Sequence, residues 1–441
     1  MGPQETRVGV STPDWIWQTA PRDWTVIDKT IEGLYSLLRH RREKPTDKSD
    51  ERYYEMVIRY FERLIRAEEE GKKIAYHLAY MPHQLARALD MVTFHLEGGP
   101  VVVGQMTGNL QESLSEAKAF GCPPESCSNQ RNLTGLICMG GLPRPDAFFC
   151  GLVVCDSHTT SFGIGADLWG VPSFFIDIPY HFYPKDLQYV TTEMEDLVQV
   201  LEGVAGKKMD WDLLKHKVKN TQRLVELGRE IANYRKAIPS PMRGRKIQQL
   251  HWTEMCLMGE DEAVSFFELV LGEIKERVER GISAVPEEKY RLLTLFYPPV
   301  YGGKILDWME REQGAVSVWE CPGEYSSSEG DLDPEKPLES LARWHRLTSF
   351  SAFYQGPLKP ESLDRIAQAA IEHKAVGAIY WAHQTCRYSC QPIRPVKEAL
   401  MEEAGVPMLV IDMDYTDPTF TTPDQIREKM EGFFEELEDR R

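Results

Sequence analysis

Long apolar runs are missing from this 441-residue chain: the longest, Ala147 to Cys155, is nine residues, far short of the ~20 that cross a bilayer. Positive charge is also scarce, with 51 Lys and Arg against 68 Asp and Glu and a formal net charge of −17. Sequence-independent nucleic-acid binding needs a basic face to neutralise phosphates, so neither a nucleic-acid nor a membrane partner is expected. The opening MGPQETRVGV has no basic segment leading into an apolar one. No secretory signal is therefore read there, and a cytoplasmic protein is expected. Hydrophobic residues, at 42%, are too many for a disordered chain, and the length allows about two to four domains.

Several motifs are absent as well. There is no GxxxxGK[ST]; GVAGKK at Gly203 has the wrong spacing and lies in a helical stretch, so this chain is not expected to hydrolyse nucleotides. GIGADLWG, Gly163 to Gly170, departs from GxGxxG in its third interval, and neither HExxH nor GxSxG occurs. A Rossmann site, a zinc protease and a serine hydrolase are therefore unsupported. Cys386 and Cys390 are four apart and Cys122 and Cys127 five apart, so no CxxC pair exists. That weakens zinc ribbons and thioredoxin-like chemistry.

What is present is an alternation of textures. Apolar positions at helical spacing fill 27–71 and stop at Gly71. From Lys73 to Tyr183 the chain breaks into short runs: KIAYHLAY, PVVVGQ, AFFCGLVVC and VPSFFIDIPYH read as strands, LARALDMV and QESLSEAKAF as helices between them. Helical spacing returns over 187–281. Then RLLTLFYPP, GAVSVWEC, AVGAIYWAH and VPMLVIDMD read as a second set of strands. A closing helix from Pro423 to about Glu438 has Thr422 as its N-cap. YSSSEGDLDPEKP, Tyr325 to Pro337, reads as a surface loop. Strands alternating with helices imply an α/β fold with parallel sheets. The expected division is a helical segment 1–70, a first α/β domain 71–186, a helical segment 187–288 and a second α/β domain 289–441. Each half delivers cysteines at a strand end, where such folds build their sites.

The nine cysteines are Cys122, Cys127, Cys138, Cys150, Cys155, Cys256, Cys321, Cys386 and Cys390. An odd number in a long chain without a secretory signal argues against a disulfide framework. All nine could be buried small hydrophobes, and Cys138, Cys150, Cys256 and Cys321 are read as core. Three neighbourhoods invite another reading: Cys127 in ESCSNQRNLTG, Cys155 in VVCDSHTT and Cys386 in YWAHQTCRYSC. The last two follow apolar runs and open polar segments that start helices. A helix N-terminus and nearby cations such as Arg387 favour the thiolate, the form that ligates metals. If the strand ends meet, three thiolates could hold an iron–sulfur cluster with one iron position open.

The closing segment, CRYS…VKEALMEEAGVPMLVIDMDYTDPTFTTPDQIREKMEGFFEEL, ends its acidic turn in D-x-x-D-P at Asp414, Asp417 and Pro418. The middle segment, PDAFFCGLVVCDSHTTSF…LWGVPSFFIDIPYH, carries a cysteine strand and a G-x-P-x-x-x-x-D-x-P strand. Together with CSNQRNLTG, in this order, these blocks resemble the 2-hydroxyacyl-CoA dehydratase / benzoyl-CoA reductase family over roughly residues 70 to 441. The resemblance implies two flavodoxin-like domains with helical additions, and a [4Fe–4S] cluster on Cys127, Cys155 and Cys386. It implies an acyl-CoA or aryl-CoA substrate, a second homologous iron–sulfur subunit and a separate ATP-hydrolysing activator. The activator injects one electron and the thioester carbonyl becomes a ketyl radical anion; an open iron would accept the carbonyl or hydroxyl oxygen. Length and layout look most like the larger, substrate-contacting subunit.

One stretch departs from the pattern. Where the dehydratases carry a Ser and a P-x-E-L turn, this chain reads AYHLAYMPHQLARAL, with His77 near the Ser position and Gln84 in place of the Glu. A neutral amide cannot serve as that carboxylate, so CoA-thioester reduction is favoured and a true (R)-2-hydroxyacyl-CoA dehydratase subunit is the alternative. A non-catalytic electron-transfer or scaffold subunit, or a zinc-bound structural one, belongs to another class. His77, His83 and Gln84 are candidates to line the substrate pocket and move protons, against a surface turn and a packed histidine. His383 is a candidate hydrogen-bond donor to a cluster sulfur. Cys122 and Cys390 are possible substitute thiols, and Arg131 is read as contacting CoA phosphate or as ion-paired. Tyr76, Tyr80, Phe94 and Trp381 are read as core aromatics.

Overall fold

Eight strands carry the described fold: β1 Ile74–His77, β2 Val92–His95, β3 Ala147–Gly151, β4 Ser173–Ile176, β5 Tyr290–Leu295, β6 Ala315–Cys321, β7 Gly377–His383 and β8 Met408–Met413. This computed structural model describes residues 22–43, 47–78, 81–152, 155–179, 185–321, 332–347 and 360–440. Tyr80 and residues 325–331 of the expected loop lie outside them. All strand pairs are parallel, in two four-stranded sheets of order β2-β1-β3-β4 and β6-β5-β7-β8. Counted from its own first strand, each sheet reads 2-1-3-4, the flavodoxin-like order. The chain leaves β1 for β2 on one side and returns to β3 on the other; β5, β6 and β7 repeat the move. Each sheet therefore has a switch point, a crevice beyond the carboxyl ends of its two middle strands.

Burial explains the composition of the strands. Every residue of β1, β3, β5, β6 and β7 is buried, which is why they read as continuous apolar runs and not as alternating ones. The helices Thr25–Glu43 and Lys48–Glu69 pack on each other and on the first sheet's core. Four helices, Asp186–Ala205, Trp211–Tyr234, Gly244–Leu257 and Asp261–Arg280, connect the two sheets. The helix Pro337–Leu347 follows β6 in sequence, yet its Leu341 and Trp344 pack into the first core. Among the described residues no helix is long and apolar enough to cross a membrane.

The closing helix, Pro423–Asp439, starts as expected: Thr422 accepts from the Gln425 backbone, and the Gln425 side chain accepts from Thr422 N–H in return. One expected strand is a helix instead. PVVVGQ lies in the helix Gly98–Thr107, and β2 is the preceding VTFH. Three successive valines fit either period, and Pro100 is tolerated because the first helical turn leaves its N–H groups unbonded anyway. The helix buries Val102 and Val103 and packs against Thr25–Glu43. Gly135 is fixed by close approach: a Cβ there would sit 1.8 Å from the Ser113 carbonyl oxygen, where helices Leu110–Phe120 and Ser128–Cys138 cross.

Candidate active site

Both switch points open on one cavity of about 1010 Å³. From the first sheet come Cys127, Cys155, His158 and Glu97; from the second come His383 and Cys386. Each of the three cysteines is the N-cap of a helix: Cys127 of Ser128–Cys138, Cys155 of Asp156–Trp169 and Cys386 of Arg387–Cys390. Cys155 follows β3 and Cys386 follows β7, so the two occupy the same place in the two sheets. Cys127 lies within the crossover from β2 to β3, at the start of its last helix.

The residues next to these cysteines tie the halves together. Ser128 N–H donates to Thr385 Oγ1 at 3.4 Å, Thr385 donates to Asp414 at 2.8 Å, and Thr416 N–H donates to Ser128 Oγ at 3.3 Å. Arg387, which follows Cys386, pairs with Asp156, which follows Cys155. Sequence neighbours of the thiols thus hold the thiols to a common wall.

The thiols are not acidic, contrary to the expectation from helix N-termini and cations. Burial pushes Cys127 up to about 11 and Cys386 up to about 12, and raises Cys155 further. Backbone N–H groups of Asn129 and Gln130 at Cys127, and of Tyr388 and Ser389 at Cys386, pull the other way and lose. The Cys127 charge raises both Cys155 and Cys386, so the three sense one another. Among the described residues, no three His, Cys, Asp or Glu side chains close on a single metal ion. Thiolates on one zinc sit ~2.3 Å from a shared centre, whereas a cluster takes each thiolate on a different iron and spreads them wider. Three thiols lining one cavity, each with backbone N–H groups turned toward it, match the donor chemistry of the larger group.

His158 and His383 are neutral, both lowered to about 4 by burial. His158 Nε2 meets Gly151 O at 3.1 Å and His383 Nε2 meets Tyr297 O at 2.6 Å. Carbonyl partners assign the proton to Nε2 in each ring, leaving Nδ1 as an acceptor. His383 therefore has no proton left for a cluster sulfur.

His77, His83 and Gln84 come together, but none is among the residues lining the cavity. His77 is fully buried, its ring 4.6 Å from His83 and 5.2 Å from His95. His83 Nε2 meets Met258 O at 3.1 Å, and Gln84 donates to Thr221 at 3.1 Å. Burial lowers His77 and His83 well below the usual histidine range. They form a neutral layer behind the wall.

Other expectations resolve simply. Cys150, Cys256 and Cys321 are buried, whereas Cys138 is only partly so; Cys390 donates to His383 O at 3.3 Å. Arg131 donates to Ser126 O at 3.0 Å and faces Asp417 at 3.8 Å, which commits its charge within the chain. Tyr76, Phe94 and Trp381 are core. Sequence reasoning misses Glu97, whose only signal is a lone acid inside an apolar stretch, FHLEGGPVVV.

The profile described as "2-hydroxyglutaryl-CoA dehydratase, D-component" matches residues 78–437, most of the chain and all three cysteines. The chain belongs to this family. Among relatives, the (R)-phenyllactyl-CoA dehydratase alpha subunit of Clostridium sporogenes is 23% identical over 84% of this chain and 91% of its own length. The (R)-2-hydroxyisocaproyl-CoA dehydratase alpha subunit of Clostridioides difficile is 23% identical over 88% and 95%. A benzoyl-CoA reductase subunit of Thauera aromatica is 22% identical, over 88% and 94%. Dehydratase and reductase subunits resemble this family member almost equally, so overall identity does not separate the two reactions. The wall residues have to.

Proposed function

We propose that this chain is the cluster-bearing subunit of a CoA-thioester reductase, with Cys127, Cys155 and Cys386 holding a [4Fe–4S] cluster between its two sheets. The observation that carries this reading is the meeting of three thiols, 28 (155 − 127) and 231 (386 − 155) residues apart in sequence, at one cavity formed by both switch points. When bound, and charged by a separate ATP-hydrolysing activator, such a cluster supplies the one low-potential electron that makes a thioester carbonyl a ketyl radical anion. The protein's own part is to exclude water from that electron. Tyr297, Tyr415 and Trp252 line the cavity, and neutral His158 and His383 offer acceptors to the substrate without adding charge.

The division into a helical segment to 70, α/β domains at 71–186 and 289–441 and a helical connector at 187–288 is part of the proposal, as is pairing with a homologous second subunit. The amide of Gln84, where the dehydratases' Glu is expected, is the ground for reduction over dehydration, and the residue itself sits behind the wall, bonded to Thr221. The named activities of the Clostridium sporogenes and Clostridioides difficile relatives support the second reading, an (R)-2-hydroxyacyl-CoA dehydratase subunit. Anaerobic purification with iron and sulfide analysis tests both: brown protein with about four irons per chain is expected. Colourless protein with stoichiometric zinc overturns both.

A further inference from the structure

Four carboxylic acids line the cavity: Glu97, Asp307, Glu310 and Glu320. Three are matched by cations. Asp307 pairs with Arg243 and with Arg245 at 3.1 Å, Glu310 with Arg243 at 2.8 Å, and Glu320 with Arg235 at 2.6 Å. Glu97 has no cation among the described residues. Its Oε1 accepts one hydrogen bond, from Gln130 Nε2 at 2.8 Å. The other oxygen has no partner there and is not sealed in the wall, so it opens on the cavity. Glu97 N-caps Gly98–Thr107 without using its side chain to cap it. Apart from Gln130, no described residue uses this group, and an enclosed carboxylate without a cation costs free energy. It also lies on the thiol side, where its charge raises Cys127 and Cys155.

We propose that Glu97 is a substrate-contacting residue that presents a hydrogen-bonding proton to the acyl oxygen of a CoA thioester. The inference rests on the thioester reading above. Gln130 fixes one oxygen so that the other is aimed, and burial raises the Glu97 carboxyl to about 7, so that about half of the molecules carry the proton at neutral pH. The group then donates to a carbonyl oxygen without placing an anion beside a developing negative charge, the logic by which a protonated acid serves an oxyanion site. No electron moves in this contact and no bond to carbon forms.

The test is equilibrium binding of benzoyl-CoA, as a probe, to the anaerobically purified full chain and to its Glu97→Gln and Glu97→Leu variants, with iron content measured on each. Glu97→Gln, which keeps a donor, is expected to bind within about threefold of wild type. Glu97→Leu is expected to bind at least about tenfold more weakly, the loss of one buried hydrogen bond, with its iron unchanged. Glu97→Leu binding as tightly as wild type would overturn the contact. Loss of iron in either variant would overturn it too, by making Glu97 part of the metal site. Wild-type protein that binds no thioester would bring down the thioester reading itself, and this inference with it.

Discussion

The first sheet ends β3 at Gly151 just ahead of Cys155, and the second ends β7 at His383 just ahead of Cys386. Their strand orders are the same. Beyond that point the two crevices differ. The first adds Cys127 from its crossover, the open carboxyl of Glu97 and a buried layer of neutral histidines behind the wall. The second contributes one thiol, and its acids are closed by Arg235, Arg243 and Arg245, all from the helical connector. The Arg235–Glu320 pair is buried on both sides, and Ser317 Oγ donates to the same carboxylate at 2.7 Å. Topology alone therefore delivers a thiol to the same place twice. Pairing separates the two crevices: the first leaves an acid open, which under the proposal meets the substrate, whereas acids locked to arginine hold the connector.

The sharpest way to break this comparison is to remove thiols selectively. Cys127→Ala or Cys155→Ala should drop iron from about four per chain to near none, while Cys122→Ala and Cys390→Ala keep it; iron analysis of the four proteins decides. Next is the locked acid. Glu320→Gln leaves Arg235 buried and uncompensated and should cost about 3–5 kcal/mol in denaturant unfolding, against no loss of stability for Glu97→Gln, which removes no ion pair.

Acid sharpens the contrast further. Burial would raise Glu260, but Arg87 and Lys217 together win and hold it at about 2, below the ordinary carboxylate range. Its stabilisation is present above that ordinary range and is lost as pH falls toward 2, so unfolding monitored against pH should lose this slope in Glu260→Gln. Gly135→Ala should cost about 2–3 kcal/mol by driving two first-half helices apart. Asp156→Asn breaks an exposed pair between the halves and should cost less than about 1 kcal/mol.

Much of the fold is legible in sequence because burial on both faces leaves an unmistakable apolar run. β5 to β7 are each visible as such, and the polar turns after GLVV and IYWAH mark the helix starts at Cys155 and Cys386. Thr422 followed by Pro423 announces the last helix for purely local reasons. What is illegible depends on distance in three dimensions. VTFH is too short to stand out, and PVVVGQ fits either period. The thiols' charge state follows from burial, which outweighs helix ends and which no neighbouring residue reports. His77, His83 and Gln84 look like a site in sequence because they are close together; the fold turns them to the Met258 and Thr221 side. Glu97 looks ordinary because a missing partner is a property of space.

Among the described residues Cys386 is the second half's one cysteine on the shared wall, so the claim that both halves grip a single inorganic centre is most exposed there. Iron and acid-labile sulfide should be measured per chain in anaerobically purified Cys386→Ala beside wild type. The account predicts about four of each in wild type and near none, or a degraded fraction, in the variant. Equal iron and sulfide in the two proteins would contradict it.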